Sequence, residues 1–542
     1  MVTMLSFGLL LLLFPMSSLP LSVLVLHPFY AGSHVLSLHA VSKELLARGH
    51  TVTTVKFHED KLPPLALHPN LTIINLFLNN SNGELPCVER TEQGQYRLPM
   101  DGLWQHGNSF FWTLTQVFAQ VPCLYNSSIS PMSSLSASQV SVMSGACESQ
   151  LSSSLFDRLS RKTYHVAFVD LMFNECGLAL ADKLGAPAVG FGFSLTSGPQ
   201  EFSTLDTLPS YVPILLSHLP DEMTFFQRTY NLLVKASSRL YMYYYTAKVD
   251  AYLRRLLGPG PNAKELQGGL SGVLVNTDWT LDYPRSYPPS YRNIGGLQIK
   301  EDPGILPANM LQFMEGSGKD GVILFTMGFI FDPSAVPSEV VATLLSAFSK
   351  IPQQVIFKYD SAEVASAAPE NVLVVPWVPQ QAVLAHPATK IFITHCGIHG
   401  VLEAIHYGVP MVGIPVFVDQ GDVLTRIVGH GIGVGLDKSA TEDEIVTAVV
   451  EVRDNPEYKR KVDQLGELMR LRRHSPLEES VWLLEYVALT GGANHLKLAS
   501  RHLNLAQYYS LDSLAALALV LVGVLSLVRV LLSGRRTRQK ID

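Results

Sequence analysis

Short apolar runs alternate with amphipathic segments along most of the chain. The run Leu21–Leu26 is apolar apart from Ser22, which is typical of a parallel strand buried on both faces. Apolar residues then recur at helical spacing as far as Leu46, Gly49 ends the predicted helix, and Thr51–Phe57 forms the next predicted strand. This order of elements predicts a right-handed βαβ unit.

The same alternation returns in two series. The first half, residues 21–299, continues with the predicted strands "YHVAFVD", "APAVGFGFS" and "SGVLVNTD". A loop-like stretch, Lys300–Gly318, predicts a linker. The second half, residues 300–475, contains "DGVILFTMG", "QQVIFKYD", "NVLVVPWVP", "KIFITHCG" and "VPMVGIPVF". We therefore expect an α/β protein with two Rossmann-like doubly wound domains facing a cleft, where ligands bind at the carboxyl ends of the strands.

Both ends of the chain are apolar. Residues 1–20 contain the uncharged run Leu5–Phe14 followed by small residues, which is typical of a cleaved signal peptide. Residues 513–533 are long and apolar enough for one transmembrane helix. The basic tail at 534–542 favours a cytosolic C terminus, so the residues before the span are expected in the lumen. Residues 476–512 are predicted to return to the first half before the membrane.

Charge and cysteine content agree with a lumenal protein. The formal net charge is only −6 and no basic stripe is present, so a nucleic-acid partner is not expected. Four of the five cysteines lie in the first third of the chain and can pair in an oxidising lumen, whereas Cys396 is remote and expected to be free. The ending "RQKID" resembles a dilysine retrieval signal, which predicts a single-pass type I protein of the endoplasmic reticulum membrane. The glycosylation sequons are at Asn70, Asn79 and Asn126.

The stretch "THCGIHGVLEAIHYGVP" combines a strand end with a helix start. His395, His399 and Glu403 are four residues apart, so on a helix they would share one face. A metal site, a phosphate cradle and an ordinary buried helix are the three interpretations. Gly397 and Gly400 favour the cradle, because they let a phosphate approach the amino terminus of a helix. The H-E-x-x-H arrangement of zinc enzymes is absent, so no metal is expected.

Flanking residues extend this cradle. Trp377 offers a flat surface for a base and Gln380 an amide for its edge, while Glu403 can accept hydrogen bonds from ribose hydroxyls. Asp419 and Gln420 follow another predicted strand, where they can hold the hydroxyls of a sugar. Together these contacts predict a nucleotide-sugar site.

The run from Trp377 to Gln420 resembles the signature of the UDP-glycosyltransferases, the family that contains the UDP-glucuronosyltransferases. The resemblance extends over nearly the whole chain, through "AGSH", "SYRNIGGLQI" and "LAQYYSLD". It implies a GT-B fold, with uracil on Trp377, the diphosphate at His395 and the transferred sugar at Asp419 and Gln420. The implied UDP-sugar-binding residues are Thr326, Lys358, Trp377, Gln380, His395, Gly397, His399, Gly400, Glu403, Asp419 and Gln420.

The resemblance also implies the catalytic pair. His34 in "AGSH" matches the family's general base, which removes the acceptor proton, and Asp170 matches the carboxylate that orients it. The implied reaction inverts the anomeric centre, needs no metal or other cofactor, and takes a small lipophilic acceptor. UDP-glucuronic acid is the first choice of donor, with UDP-glucose, UDP-galactose and UDP-N-acetylglucosamine as alternatives. A homo-oligomer is allowed but not predicted.

Four positions depart from the family pattern. Cys396 stands where the family usually has glycine, His399 where it often has asparagine, Phe329 where it commonly has serine, and Lys358 where it commonly has arginine. These departures leave a rival open, namely a catalytically impaired relative that binds a nucleotide sugar or lipid. A metal-dependent hydrolase is a third, more distant alternative.

Overall fold

A computed structural model describes residues 20–27, 32–57, 68–76, 89–90, 96–97, 146–192, 207–328, 336–416 and 419–538. Some predicted features lie outside these residues. They are the signal peptide up to residue 19, Cys87, Cys123, Asn79, Asn126, Phe329 and the last residues of the tail.

Within the described residues, the first half contains a seven-stranded parallel sheet in the order β3-β2-β1-β6-β7-β8-β9. Its strands are β1 Ser22–Leu26, β2 Thr51–Phe57, β3 Leu71–Leu76, β6 Val166–Asp170, β7 Ala188–Gly192, β8 Gly272–Val275 and β9 Tyr291–Asn293. A separate antiparallel pair consists of β4 Glu89–Arg90 and β5 Tyr96–Arg97. The helices include α1 Gly32–Ala47, α2 Ser153–Leu159, α3 Glu175–Lys183, α4 Phe225–Leu257 and α5 Ala263–Gly268.

The described part of the second half contains a six-stranded parallel sheet in the order β12-β11-β10-β13-β14-β15. Its strands are β10 Val322–Thr326, β11 Gln354–Lys358, β12 Val372–Val375, β13 Thr389–Thr394, β14 Met411–Gly413 and β15 Gly433–Gly435. Its helices are α6 Ala308–Glu315, α7 Ser338–Ser349, α8 Ala362–Ala367, α9 Gln380–Ala385, α10 Ile398–His406, α11 Gln420–Gly429, α12 Glu442–Asp454 and α13 Pro456–Arg470.

Both faces of the central strands are covered. In β1, Leu24 and Leu26 belong to the hydrophobic core on one side of the sheet, and Val23 and Val25 to the core on the other. All four side chains are fully buried. This explains the nearly continuous apolar run in the sequence, and the prediction of two doubly wound α/β sheets is confirmed.

The strand order places the carboxyl ends of two strand pairs at switch points. In the first sheet the order reverses between β1 and β6, and in the second between β10 and β13. Helices leave such neighbouring strands in opposite directions, which opens a crevice for ligands. His34 follows β1 and Asp170 ends β6, while Thr326 ends β10 and His395 follows β13. Residues predicted for the site thus lie at both crevices.

The predicted loop at Lys300–Gly318 contains a helix instead. Helix α6, Ala308–Glu315, lies inside this stretch, and its Met310 and Met314 are buried in the core of the second half. The prolines and glycines that suggested a loop lie outside the helix, at positions such as Pro303 and Gly316. The middle of this stretch is therefore helical where a loop was expected, and the linker between the two halves stays a prediction.

After the second half, the chain packs against the first sheet. Helix α14, Pro476–Leu489, contacts α1, β6, β8 and β9. Its Val481 and Leu484 belong to the same core as Val25. The chain as far as Leu496 forms one compact unit that includes both halves.

Residues Lys497–Asp542 form a second compact unit. It contains α15 Leu505–Tyr508 and α16 Leu511–Arg538. The segment Leu511–Leu532 has a mean hydropathy of 2.6, none of it is buried, and it is the one helix in the described part of the chain that is long and apolar enough to cross a membrane. This agrees with the predicted span at 513–533 and fits a membrane anchor.

The described cysteines fall into two classes. Cys147 and Cys176 form a disulfide with a Cα–Cα distance of 5.5 Å, which ties the helical residues 146–150 to α3. Cys396 is a buried free thiol, as predicted.

Candidate active site

An imidazole–carboxylate pair lies at the switch point of the first sheet. His34 Nδ1 is 2.9 Å from Asp170 Oδ2, and Asp170 Oδ1 accepts the backbone N–H of Met172 at 2.8 Å. Asp170 is fully buried, and the ring of Phe191 contacts His34 edge-on with the centroids 6.0 Å apart. Because an ionised carboxylate only accepts hydrogen bonds, Nδ1 holds the imidazole proton and Nε2 is the basic nitrogen.

The ring of His395 lies between two glycines at the switch point of the second sheet. A Cβ atom on Gly397 would be 2.4 Å from His395 Nε2, and one on Gly328 would be 2.4 Å from Cε1. Neither position can hold a side chain while the ring is in place. Burial, followed by the nearby Lys358 ammonium, lowers the pKa of His395 to about 4. The imidazole is therefore neutral at pH 7.

Two neighbouring strand ends complete this second group. Lys358 Nζ, at the end of β11, donates to the carbonyl of Gly328 at 2.7 Å. Thr326 Oγ1, at the end of β10, accepts the N–H of Gly328 at 3.0 Å. Burial lowers the pKa of Lys358 from its usual value. A cation, backbone amides and an imidazole are thus brought together, which suits an anionic ligand.

His395, His399 and Glu403 would share one face only on a continuous helix, and His395 instead follows the end of β13, as predicted. Helix α10 begins at Ile398, with Gly397 as its N-cap, so His395 precedes the helix. The three side chains have different surroundings. Within the described residues, no group of three or more histidine, cysteine, aspartate and glutamate side chains could hold a metal ion.

Cys396 has a left-handed backbone conformation with φ at +64°. This conformation disfavours residues with a Cβ atom, which gives a physical reason for glycine at this position in the resembling family. The side chain is fully buried, and burial raises the pKa of the thiol well above its usual value. The departure at Cys396 therefore places a buried thiol on a left-handed backbone.

Glu403 is surrounded by glutamine amides. Gln380 Nε2 donates to Oε2 at 2.7 Å, while Gln381 Nε2 and Gln298 Nε2 donate to Oε1 at 3.2 and 3.4 Å. Burial raises the pKa of Glu403, and these hydrogen bonds oppose the rise. Gly400 packs close by, since a Cβ atom there would be 3.3 Å from Gln380 Nε2. Sequence reasoning missed Gln298 and Gln381, although "QQ" and "GGLQI" were available as signals.

His399 contacts the first half of the protein. Its Nε2 is 2.9 Å from Ser37 Oγ on α1 and 3.3 Å from Asn276 Nδ2, just after β8. Gln298 Nε2 also donates to the backbone carbonyl of His399 at 3.1 Å. Burial, followed by the proximity of His34, lowers the pKa of His399 to about 3. Ser37 and Asn276 had no motif and were not predicted.

The remaining predicted residues follow strands of the second sheet. Trp377 follows β12 and is 65% exposed, so its ring is accessible to a ligand. Asp419 is the N-cap of α11. Gln420 is buried, and its Oε1 accepts the N–H of Val416 at 2.8 Å. The amide of Gln420 is thereby fixed in orientation.

Helix α11 is also bound to the first half. The buried carboxylate of Asp422 accepts the backbone N–H groups of Leu216 at 2.7 Å and His218 at 3.0 Å. Both donors have left-handed backbones, with φ of +70° and +53°. A Cβ atom on Gly421 would lie 2.4 Å from His218 Nε2, so a larger residue there would displace the His218 ring.

Comparison with known proteins identifies the family. The family model described as UDP-glucoronosyl and UDP-glucosyl transferase matches residues 103–538. The chain belongs to this family. It is 30% identical to UDP-glucuronosyltransferase 2A3 of Cavia porcellus over 92% of this chain and 90% of that protein. It is 33% identical to UDP-glucuronosyltransferase 2C1 of Oryctolagus cuniculus over 71% of this chain and 76% of that protein.

Solved structures support the fold of this UDP-glycosyltransferase. A UDP-glucosyltransferase from Polygonum tinctorium has a TM-score of 0.56 at 16% identity, over 87% of this chain and 99% of that chain. Os79 from O. sativa, solved with UDP, has a TM-score of 0.55 at 16% identity, over 86% of this chain and all of that chain. The predictions of a GT-B fold and of an enzyme that transfers a sugar from a UDP-sugar are confirmed.

Proposed function

We propose that the protein transfers the sugar of a UDP-sugar, with UDP-glucuronic acid as first choice, to a hydroxyl of a small lipophilic acceptor, with inversion at the anomeric carbon. His34 acts as the general base and Asp170 as the carboxylate that orients it. The observation behind this proposal is the 2.9 Å contact between His34 Nδ1 and buried Asp170 Oδ2 at a switch point.

The proton transfer follows from this tautomer. His34 Nε2 takes the proton of the acceptor hydroxyl as its oxygen attacks the anomeric carbon. A new carbon–oxygen bond forms as the bond to the β-phosphate oxygen breaks, and UDP leaves with the electron pair. Asp170 stabilises the imidazolium that results.

The second half binds the donor. Uracil stacks on Trp377 with Gln380 at its edge, and the ribose hydroxyls meet Glu403. Asp419 and Gln420 bind the transferred sugar. The diphosphate occupies the group formed by Thr326, Lys358, His395, Gly397 and Gly400, and His399 lies in the same first turn of α10.

This arrangement supplies the charge that the leaving group needs. The Lys358 ammonium, the His395 imidazole and the free N–H groups at the start of α10 act on the diphosphate, so metal-independent transfer is expected. We place the two halves in the lumen of the endoplasmic reticulum, with α16 as a single type I span. The UDP-glucuronosyltransferase relatives favour glucuronic acid as the donor sugar.

The decisive experiment uses membranes that contain the full chain, several labelled UDP-sugars, and a panel of phenols and steroids. His34→Ala should reduce turnover by about a hundred- to ten-thousand-fold and leave UDP binding nearly unchanged. Asp170→Asn should also reduce turnover without unfolding the protein. Near-normal turnover of His34→Ala would refute the proposed base. UDP binding without transfer to any acceptor in the wild type would instead favour the catalytically impaired relative.

A further inference from the structure

His399 has an unusual role for its place at the start of α10. Position 399 follows the N-cap by two residues, where backbone amides and short polar side chains commonly meet an anion. Here the long imidazole extends across to the first half, and Nε2 lies 2.9 Å from Ser37 Oγ and 3.3 Å from Asn276 Nδ2. Asparagine, the commoner residue of the family at this position, is too short to place a polar atom where Nε2 lies.

The partners define the protonation state of the ring. Asn276 Nδ2 is a donor only, so Nε2 must accept and the ring proton lies on Nδ1. Ser37 is fully buried, and its hydroxyl can donate to the same nitrogen. The lowered pKa of His399, about 3, keeps the ring neutral over the whole working range of pH. The contact between the halves is therefore one between neutral groups that pH does not switch.

Ser37 lies one helical turn after His34 on α1, so the two side chains are neighbours on that helix. His34 also lies close enough to His399 to lower its pKa. We propose that His399 is a positioning residue that joins α10 to α1 through Ser37 and to the end of β8 through Asn276, and so sets His34 against the donor bound by the second half. This inference rests on the proposed role of His34 as the base.

Gln298 extends the contact to Glu403, the carboxylate that is proposed to bind the ribose. It donates to the carbonyl of His399 at 3.1 Å and to Glu403 Oε1 at 3.4 Å, and its own carbonyl accepts from Gln381 at 3.0 Å. One side chain thus touches both the backbone of the positioning residue and the group proposed to hold ribose. A set of hydrogen bonds therefore connects the carboxylate of Glu403, through Gln298 and His399, with Ser37 on α1.

The test compares His399→Gln with His399→Asn in the full chain in detergent. A glutamine amide reaches the position of histidine Nε2, whereas an asparagine amide reaches only that of Nδ1. We expect His399→Asn and Ser37→Ala each to lower kcat about ten-fold, since displacement of a catalytic group is costly, while the Kd for UDP changes less than about two-fold. His399→Gln should recover most of the turnover. The double variant Ser37→Ala/His399→Asn should be no slower than either single variant, because both changes remove the same contact.

Ser42→Ala is the matched control. Ser42 is also fully buried on α1, but its hydroxyl donates to the Leu38 carbonyl of the same helix at 2.7 Å. Its removal should leave kcat near the wild-type value. The inference would be overturned if His399→Asn weakened UDP binding as much as it lowered kcat, if Ser37→Ala resembled Ser42→Ala, or if the effects of the two single changes multiplied in the double variant.

A second measurement separates this inference from the proposed function. Hydrogen–deuterium exchange in α1 should increase in His399→Asn and not in His399→Gln, whatever residue acts as the base. If His34→Ala retains turnover, the proposed base fails while the exchange result still tests the contact. If His34→Ala is inactive and α1 exchange is the same in both His399 variants, the positioning role fails and the proposed base stands.

Discussion

Gly397→Ala is the sharpest test of the cradle around His395. The added Cβ atom would lie 2.4 Å from His395 Nε2, whereas ordinary contact begins at 3.4 Å. The difference is about 1 Å. The His395 ring must move by about this distance, because Gly397 is the N-cap of α10 and its backbone is held by the helix. Gly397→Ala removes no polar group from the protein and displaces only the His395 imidazole.

The expected loss of turnover follows from the proposed role of the His395 ring as a hydrogen-bond donor to the diphosphate. Loss of one preorganised donor to a developing negative charge costs about 2.7–4 kcal/mol, which corresponds to a decrease of roughly 10²- to 10³-fold in kcat. A displacement of about 1 Å can cost about 10²-fold by itself. We therefore expect Gly397→Ala to lower kcat about 10²-fold and to weaken UDP binding. Gly260→Ala should have no effect, because a Cβ atom there meets nothing within 4 Å.

The assay is a double-mutant cycle with His395→Ala, read as UDP affinity and as kcat with UDP-glucuronic acid and a phenol. If alanine at 397 acts by displacing the ring, then Gly397→Ala should have little further effect once the ring is gone. An equal loss in both backgrounds would mean that the glycine serves the phosphate or the helix end directly, and the reasoning from His395 would be refuted.

Three further predictions concern stability. In the folded protein the pKa values of His39 and His395 are both about 4, below the unfolded value of 6.5, so the unfolded chain binds protons first on acidification. The free energy of unfolding should therefore fall as the pH is lowered from about 6.5 to about 4, and these groups should change it little above pH 7. Thermal unfolding over this pH range measures the effect. Cys396→Val should lower the melting temperature strongly, because a β-branched residue disfavours φ of +64°, whereas Cys396→Gly should stay folded; equal melting of the two would contradict this. Replacing Cys147 and Cys176 together by alanine should cost about 3–4 kcal/mol in denaturant unfolding, because their bond closes a loop over a sequence separation of 29 residues, and an unchanged midpoint would show that the bond adds nothing.

Much of the fold was predictable because local patterns determine it. The apolar run of β1 required burial on both faces, and Gly49 ends α1 with φ of +84°, as expected for a left-handed helix end. The strand ends at Asp170 and Thr326 were visible as polar residues after apolar runs. What a single sequence could not supply was the pairing of elements far apart in the chain.

The missed site residues share this cause. Ser37 and Asn276 are ordinary polar residues at a helix and a strand end, and only the approach of the two halves gives them a partner in His399. The four-residue spacing of His395, His399 and Glu403 gives a shared face only on a helix, and α10 begins only at Ile398. The left-handed backbone of Cys396 was likewise invisible, since cysteine carries no signal for that conformation.

The return of α14 to the first sheet has a consequence for biosynthesis. Val481, Leu483 and Leu484 fill the same core as β1, although more than four hundred residues separate them in the chain. During synthesis the first sheet therefore lacks part of its core until the second half has been made, so the two halves must complete their folding together. A chain truncated just before Pro476 would still contain all strands of both sheets. Its first sheet would, however, expose the apolar surface that α14 covers. Such a truncated chain should be retained and degraded as a misfolded protein, even though none of its proposed donor-binding residues is missing.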